Sequence, residues 1–176
     1  MNVPSHDVEQ LVRDIKFLKD VELIKRLKHR YFRCIDMANL DELAELFDEN
    51  VTASLIGGSY QVELEGREPY LEMVRNGFHS QAVGHHNGHH PEIDIVSDTE
   101  ATGIWYLSDV FLDFRNQVST IGTALYHDEY IKADGQWKIR HTRYERIYEI
   151  VEPITTRPNL TAHYLATHGH QLPAQE

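Results

Sequence analysis

Residues 101–114, ATGIWYLSDVFLDF, 118–132, VSTIGTALYHDEYIK, and 137–151, WKIRHTRYERIYEIV, decide the fold class. All three are long, rich in β-branched and aromatic residues, and separated by turn signals such as Ala133-Asp134-Gly135. Upstream, apolar residues recur at three- and four-residue steps: Leu11, Ile15, Leu18, then Ile24, Leu27, Tyr31 and Ile35. That spacing is one stripe of a helix, with Lys25, Lys28 and Arg30 available for the wet side. A break near Lys19-Asp20 is expected, with Asp20 capping a second helix from Val21. Long antiparallel strands after two or three helices give an α+β domain rather than alternating α/β.

Between these regions, Met37-Ala38 forms a turn. Asn39 caps a short helix, Leu40 to Phe47, with Glu42 completing a capping-box pattern. Val51 to Ile56 and Tyr60 to Glu65 flank Gly57-Gly58-Ser59 as a hairpin. A helix follows from Arg67 to Phe78, then a histidine-rich loop, His79 to His90, and a short strand, Ile93 to Val96. The expected division is one domain over 1–152 and a C-terminal tail over 153–176. An antiparallel sheet bent around helices leaves a pocket between them, the ordinary place for a ligand.

Composition narrows the function classes. The 176 residues carry 17 Lys plus Arg against 28 Asp plus Glu, a net charge of −11 with neutral histidines. Such a chain lacks the basic patch that phosphate neutralisation needs, and nothing draws it to anionic lipid. Hydrophobic residues at 41% suffice for a sizeable core. With Cys34 as the single cysteine, an internal disulfide and a cysteine zinc site are excluded. The start, MNVPSHDVEQLVRD, does not read as a signal peptide, and no stretch reads as a membrane span. A cytoplasmic protein is the expectation.

Several polar residues stand out. Asp36 ends a largely apolar helix, where it either bonds the local backbone or orients a histidine. His85, His86, His89 and His90 fall within six residues. Imidazoles so placed are solvated, ligate a metal, or supply one general acid–base group. No second ligand cluster completes a metal site. Tyr31 is about 140° of helical rotation from Asp36, so both reach one cavity only if it is wide or the helix ends there. Alternation groups Tyr144, Arg146 and Tyr148 on one strand face. Trp105, Tyr106 and Trp137 read as core aromatics, and Cys34 as a small core residue.

The segments YFRCID (31–36), GHHNGHHPEID (84–94), ATGIWYLSD (101–109), DEYIKADGQW (128–137) and RYERIYE (143–149) together resemble the nuclear transport factor 2-like, SnoaL-like superfamily. Within it they are most similar to the bile-acid 7α-dehydratases. The resemblance runs from about Lys19 to Glu149 and implies a cone-shaped α+β barrel, usually a homotrimer, with the site inside the cone. It implies a catalytic pair at Asp36 and His86, a helix tyrosine at Tyr31 and an arginine at Arg146. His89 matches a family histidine without an assigned catalytic role. A family tyrosine of the first strand falls on Leu55, in SLIGG, and Tyr60 is one residue that could replace its hydroxyl. Leu55, Tyr144, Trp105 and His89 are the expected substrate contacts.

The implied reaction removes water from a 7α-hydroxy-3-oxo-4-ene steroid to give a 4,6-diene, with neither metal nor redox cofactor. The enone acidifies the C6 proton, because its removal places charge on the distant C3 oxygen. His86 is the natural base, oriented by Asp36, and the reverse assignment remains open. Another dehydratase or isomerase on the same fold, or a non-catalytic ligand binder, are the alternatives.

Overall fold

Helix α1 of the computed structural model, Ser5–Asp36, runs unbroken through the expected break at Lys19-Asp20. The structure describes residues 5–173, so the ends of the expected domain and tail, 1–4 and 174–176, lie outside the described residues. Asp20 caps nothing. Its buried carboxylate accepts hydrogen bonds from Lys132 Nζ (2.6 Å) and Trp137 Nε1 (3.0 Å), which satisfies a polar residue in mid-helix. Only the second half of the apolar stripe is used: Ile24, Leu27, Tyr31 and Ile35 are buried, whereas Leu11, Ile15 and Leu18 are more than half exposed.

Lys28 also departs from the expectation of a wet side chain. It lies four residues after Ile24 and three before Tyr31, in the middle of the buried stripe, and is 0% exposed. Its Nζ stands 2.7 Å from Asp128 Oδ2. The aspartate also accepts from Thr142 Oγ1 (2.8 Å) and Tyr130 Oη (2.7 Å). Burial pushes the Lys28 ammonium below its ordinary pKa, and the Asp128 charge pulls it back.

After the Met37-Ala38 turn, Asn39 caps α2, Leu40–Leu46, as expected. Its side chain accepts from the Glu42 N–H (3.3 Å) and donates to the Glu42 carboxylate (3.1 Å). Strand β1, Phe47–Ile56, follows without a loop and forms the expected hairpin with β2, Gln61–Glu65. Helix α3, Arg67–Gly77, buries Tyr70, Leu71 and Val74. Four long strands complete the sheet: β3, Ala82–Ile95; β4, Glu100–Asp113; β5, Val118–Ala133; and β6, Gln136–Pro153. Their order is β2-β1-β6-β5-β4-β3, antiparallel except between β1 and β6. This single six-stranded sheet curls, unclosed, around the helices.

The expected histidine loop is strand β3. Its sequence hides the fact, because the helix-facing side reads Gly84, His86, Gly88 rather than an apolar alternation. The glycines make room for rings: a Cβ on Gly84 would lie 2.4 Å from Phe78, and one on Gly88 1.9 Å from Phe32. As an edge strand, β3 tolerates Pro91, beside a register shift between His89 and Glu92. Beyond β6 the chain folds back: His170 bridges to His79, and His163 Nε2 donates to the Ala82 carbonyl (2.9 Å). A short helix, α4, Leu165–His168, buries Leu165. Among the described residues no helix is long and apolar enough to cross a membrane.

Candidate active site

Because β3 is an edge strand, the backbone N–H of His86 is free to leave the sheet, and it donates to both Asp36 oxygens (3.0 and 3.2 Å). The ring Nδ1 lies 2.6 Å from Asp36 Oδ1. A carboxylate partner makes Nδ1 the protonated nitrogen and leaves the Nε2 lone pair for chemistry. Asp36 is the last residue of α1, where the negative end of the helix dipole disfavours a carboxylate. Charge-assisted donation from His86 offsets that disadvantage. The imidazole stacks on Phe32 (ring centroids 6.2 Å apart) and meets Phe78 at a tilt (5.7 Å), the two phenyl rings standing in the spaces left by Gly88 and Gly84.

His86 lines a cavity of about 280 Å³ between the sheet and helices α1 and α3. Asp36 does not line it and stands behind the imidazole. The helix end reconciles Tyr31 with Asp36: Tyr31 points into the cavity, while Asp36 reaches His86 from the terminus. Tyr31 shares a 2.6 Å hydrogen bond with Tyr70, and its hydroxyl lies 3.5 Å from that of Tyr126. Burial pushes all three phenols above their ordinary pKa, so they remain protonated donors. Lys28 lies under this group, its Nζ 4.3 Å from the Tyr31 ring centroid and 3.7 Å from that of Tyr126.

Arg146 also lines the cavity and does not pair with Asp36. It holds Asp109 through both Nη atoms, the Nη2 contact being 2.8 Å, while Nε faces Glu149 at 3.6 Å. Burial lowers the Arg146 pKa, but the Asp109 hydrogen bonds and charge more than restore it. Asp109 is opposite His86 in the β3–β4 register and lines the same cavity. Sequence reading passed over it, although Trp105, Leu107 and Asp109 continue one buried alternation of β4. A carboxylate on such a face is a signal in itself.

Leu55 and Tyr144, both expected to meet substrate, line the cavity. Trp105 and His89 do not. The Trp105 side chain is fully buried, its Nε1 donating to Tyr130 Oη (3.0 Å), and His89 stacks on Tyr106 outside. Tyr148 leaves the face shared by Tyr144 and Arg146, because a register shift leaves Ile147 unpaired against β5 and turns Tyr148 out. Cys34 is a core residue whose thiol burial pushes up to about 11, far from a reactive thiolate. Among the described residues no three His, Cys, Asp or Glu gather as metal ligands.

Gly88 carries a consequence for this geometry. Gly88→Ala is expected to push Phe32 off His86, costing about 1–3 kcal/mol of stability by overpacking and slowing turnover. Thermal unfolding and initial rates check both effects.

An α+β sheet curled over helices, with a carboxylate–imidazole pair beside the cavity between them, leads to the class: the chain belongs to the SnoaL-like domain family, whose model matches residues 16–143. Solved structures share the architecture. A protein described as scytalone dehydratase-like from Novosphingobium aromaticivorans DSM 12444 is 22% identical, covering 93% of this chain and 99% of that one, with a TM-score of 0.67. LinA is 19% identical over 85% of this chain and 99% of that one, TM-score 0.72. A hexachlorocyclohexane dehydrochlorinase, LinA-type3 from Novosphingobium barchaimii LL02, is 20% identical with the same coverages, TM-score 0.69. At these identities the likeness is one of fold.

Proposed function

We propose that this protein is a cofactor-independent hydro-lyase that eliminates water from a 7α-hydroxy-3-oxo-4-ene steroid of the bile-acid type, giving the 4,6-diene. The observation that carries the reading is the Asp36–His86 pair, with Nδ1 spent on Asp36 and Nε2 left for a substrate in a cavity walled by aromatic rings and phenols. Dehydratases and dehydrochlorinases among proteins of the same fold support an elimination.

In this account His86 Nε2 removes the C6 proton. The electron pair moves through the enone, placing charge on the C3 oxygen. As the dienolate collapses, the C7–O bond breaks and the imidazolium returns its proton to the departing hydroxyl. Asp36 fixes the tautomer and stabilises the imidazolium; its place behind the ring supports His86, rather than Asp36, as the base. Tyr31, a protonated donor, hydrogen-bonds a substrate oxygen. The Arg146–Asp109 pair shapes the wall beside His86 and leaves the guanidinium already neutralised.

Two features support a second reading, in which the same pair dehydrates or isomerises another cyclic enone. Leu55 offers no hydroxyl, and the cavity volume falls just below the roughly 300–1000 Å³ of ordinary ligand pockets. Absorbance on mixing separates them: the 4,6-dienone absorbs at longer wavelength than its 4-ene parent. Growth of that band with a 7α-hydroxy-3-oxo-4-ene bile acid is the expected result. A steroid that binds unchanged supports the second reading.

The working unit is proposed to be a homotrimer. Apolar side chains left exposed on β5 and β6, Ile121, Ile147, Ile150 and Val151, together with Leu11, Ile15 and Leu18 of α1, support burial against other copies. Light scattering should give the mass of three chains; a monomer at micromolar concentration overturns the assignment.

A further inference from the structure

The end of the cavity near Leu55 holds hydroxyls from elsewhere in the chain. Leu55 pairs in register with Tyr144 of β6, and Tyr144 is hydrogen-bonded, hydroxyl to hydroxyl, with Tyr60. Tyr60 stands between the glycine turn and β2. Its ring folds back over Gly57, where a Cβ would lie 2.2 Å from the Tyr60 ring, and its carbonyl accepts from the Gly57 N–H (2.9 Å). The turn is tied to β6 as well, since Glu149 Oε1 accepts from the Gly58 N–H (2.5 Å). Both phenols line the same cavity as His86.

The proton count of this pair is informative. Two phenols carry two O–H protons, and a single hydrogen bond between them uses one. The Arg146 guanidinium also donates to the Tyr60 hydroxyl, which occupies a lone pair and no phenol proton, so one O–H proton of the pair is left for a ligand. Arg146 reinforces it. The guanidinium lies 5.5 Å from the Tyr144 ring centroid and reaches Asp109 across Gly122, where a Cβ would stand 3.1 Å from Arg146 Nη1. With its charge balanced by Asp109, the guanidinium acts here by its hydrogen bond to Tyr60, which holds the phenol pair in place and polarises its free O–H toward a ligand oxygen. From His86 successive ring contacts run through Phe32, behind the wall, to Tyr126 and then Tyr144, which sets the phenol pair apart from the base.

We propose that the Tyr60–Tyr144 pair is the oxygen-binding group of the cavity, taking a ketone oxygen of the substrate at the end away from His86. This rests on the elimination read above, in which the C3 oxygen gains charge while the proton leaves C6. The pair supplies the hydroxyl that Leu55 lacks, and it selects cyclic ketones over hydrocarbons of the same shape. Tyr31 then serves the oxygen that departs.

The test uses the full chain with 1-tetralone and its oxygen-free counterpart tetralin as probes, by calorimetry and infrared spectroscopy. Wild type is expected to bind the ketone at least tenfold more tightly and to move its carbonyl stretch to lower frequency. Tyr60→Phe/Tyr144→Phe should lose that preference and return the stretch toward its free position, with tetralin affinity unchanged. Tyr60→Phe alone, at a half-buried turn, should weaken the preference without disturbing the fold. Equal affinity for both probes in wild type, or a carbonyl shift that survives the double variant, overturns the proposal. A phenol-dependent shift without steroid dehydration would instead refute the reaction and leave the oxygen site standing.

Discussion

His86→Ala should abolish nearly all dehydration while leaving steroid binding intact. The lost group is both the base at C6 and the acid at the departing hydroxyl, so a fall of about 10²–10⁴-fold in kcat is expected. KM should change little, because Phe78, Phe111 and the phenols still wall the cavity. Asp36→Asn tests the orienting role separately. An amide donates where the carboxylate accepted, so the imidazole is no longer held with Nδ1 protonated and Nε2 bare. Its rate should fall in the same direction. If His86→Ala kept near-normal turnover, the pair would not be the catalytic unit.

Lys28→Met should be the most destabilising single change beneath the cavity. It leaves the fully buried Asp128 carboxylate with only the Thr142 and Tyr130 hydroxyls, and breaking a buried pair on one side costs about 3–5 kcal/mol. The ammonium is also lost from the Tyr31 and Tyr126 rings, whose cation–π contacts contribute about 0.5–2 kcal/mol. Lys28→Met/Asp128→Asn removes both charges and should recover most of the loss, since replacing a whole buried pair is often nearly neutral. Denaturant unfolding of the four proteins closes a double-mutant cycle. A double variant no more stable than Lys28→Met would mean that packing, not the orphaned charge, sets the cost.

The last three strands, the glycine hairpin and the Asn39 cap were legible because each rests on local chemistry: alternation, turn residues and a side chain three positions from its partner. The misreadings share one cause, contacts made far along the chain. Asp20 reads as a cap until Lys132 and Trp137 arrive, and Lys28 reads as solvated until Asp128 does. Strand β3 reads as a loop because its inward face is glycine and histidine, chosen to fit Phe32 and Phe78 rather than to bury area of its own. The exposed half of α1 carries the same periodicity as the buried half, which shows that periodicity marks a face without saying what covers it.

The site divides in the same way. Asp36, His86, Tyr31 and Arg146 were singled out as residues, with their roles coming from the family resemblance, while the pairing of Arg146 with Asp109 needed the sheet register. The bulge at Ile147 could not be read from RYERIYE, since strict alternation places Tyr148 with Arg146. Tyr60, in the turn before β2, and Tyr144, on β6, are 84 residues apart, and only the pairing of β1 with β6 brings their hydroxyls together.

The proposed elimination of water stands on removal of the C6 proton. A 7α-hydroxy-3-oxo-4-ene bile acid carrying two deuterium atoms at C6 tests it most directly, with the product examined by mass spectrometry. Turnover should be slower than for the unlabelled steroid, and the diene should retain one deuterium. A dehydrated product retaining both would contradict it.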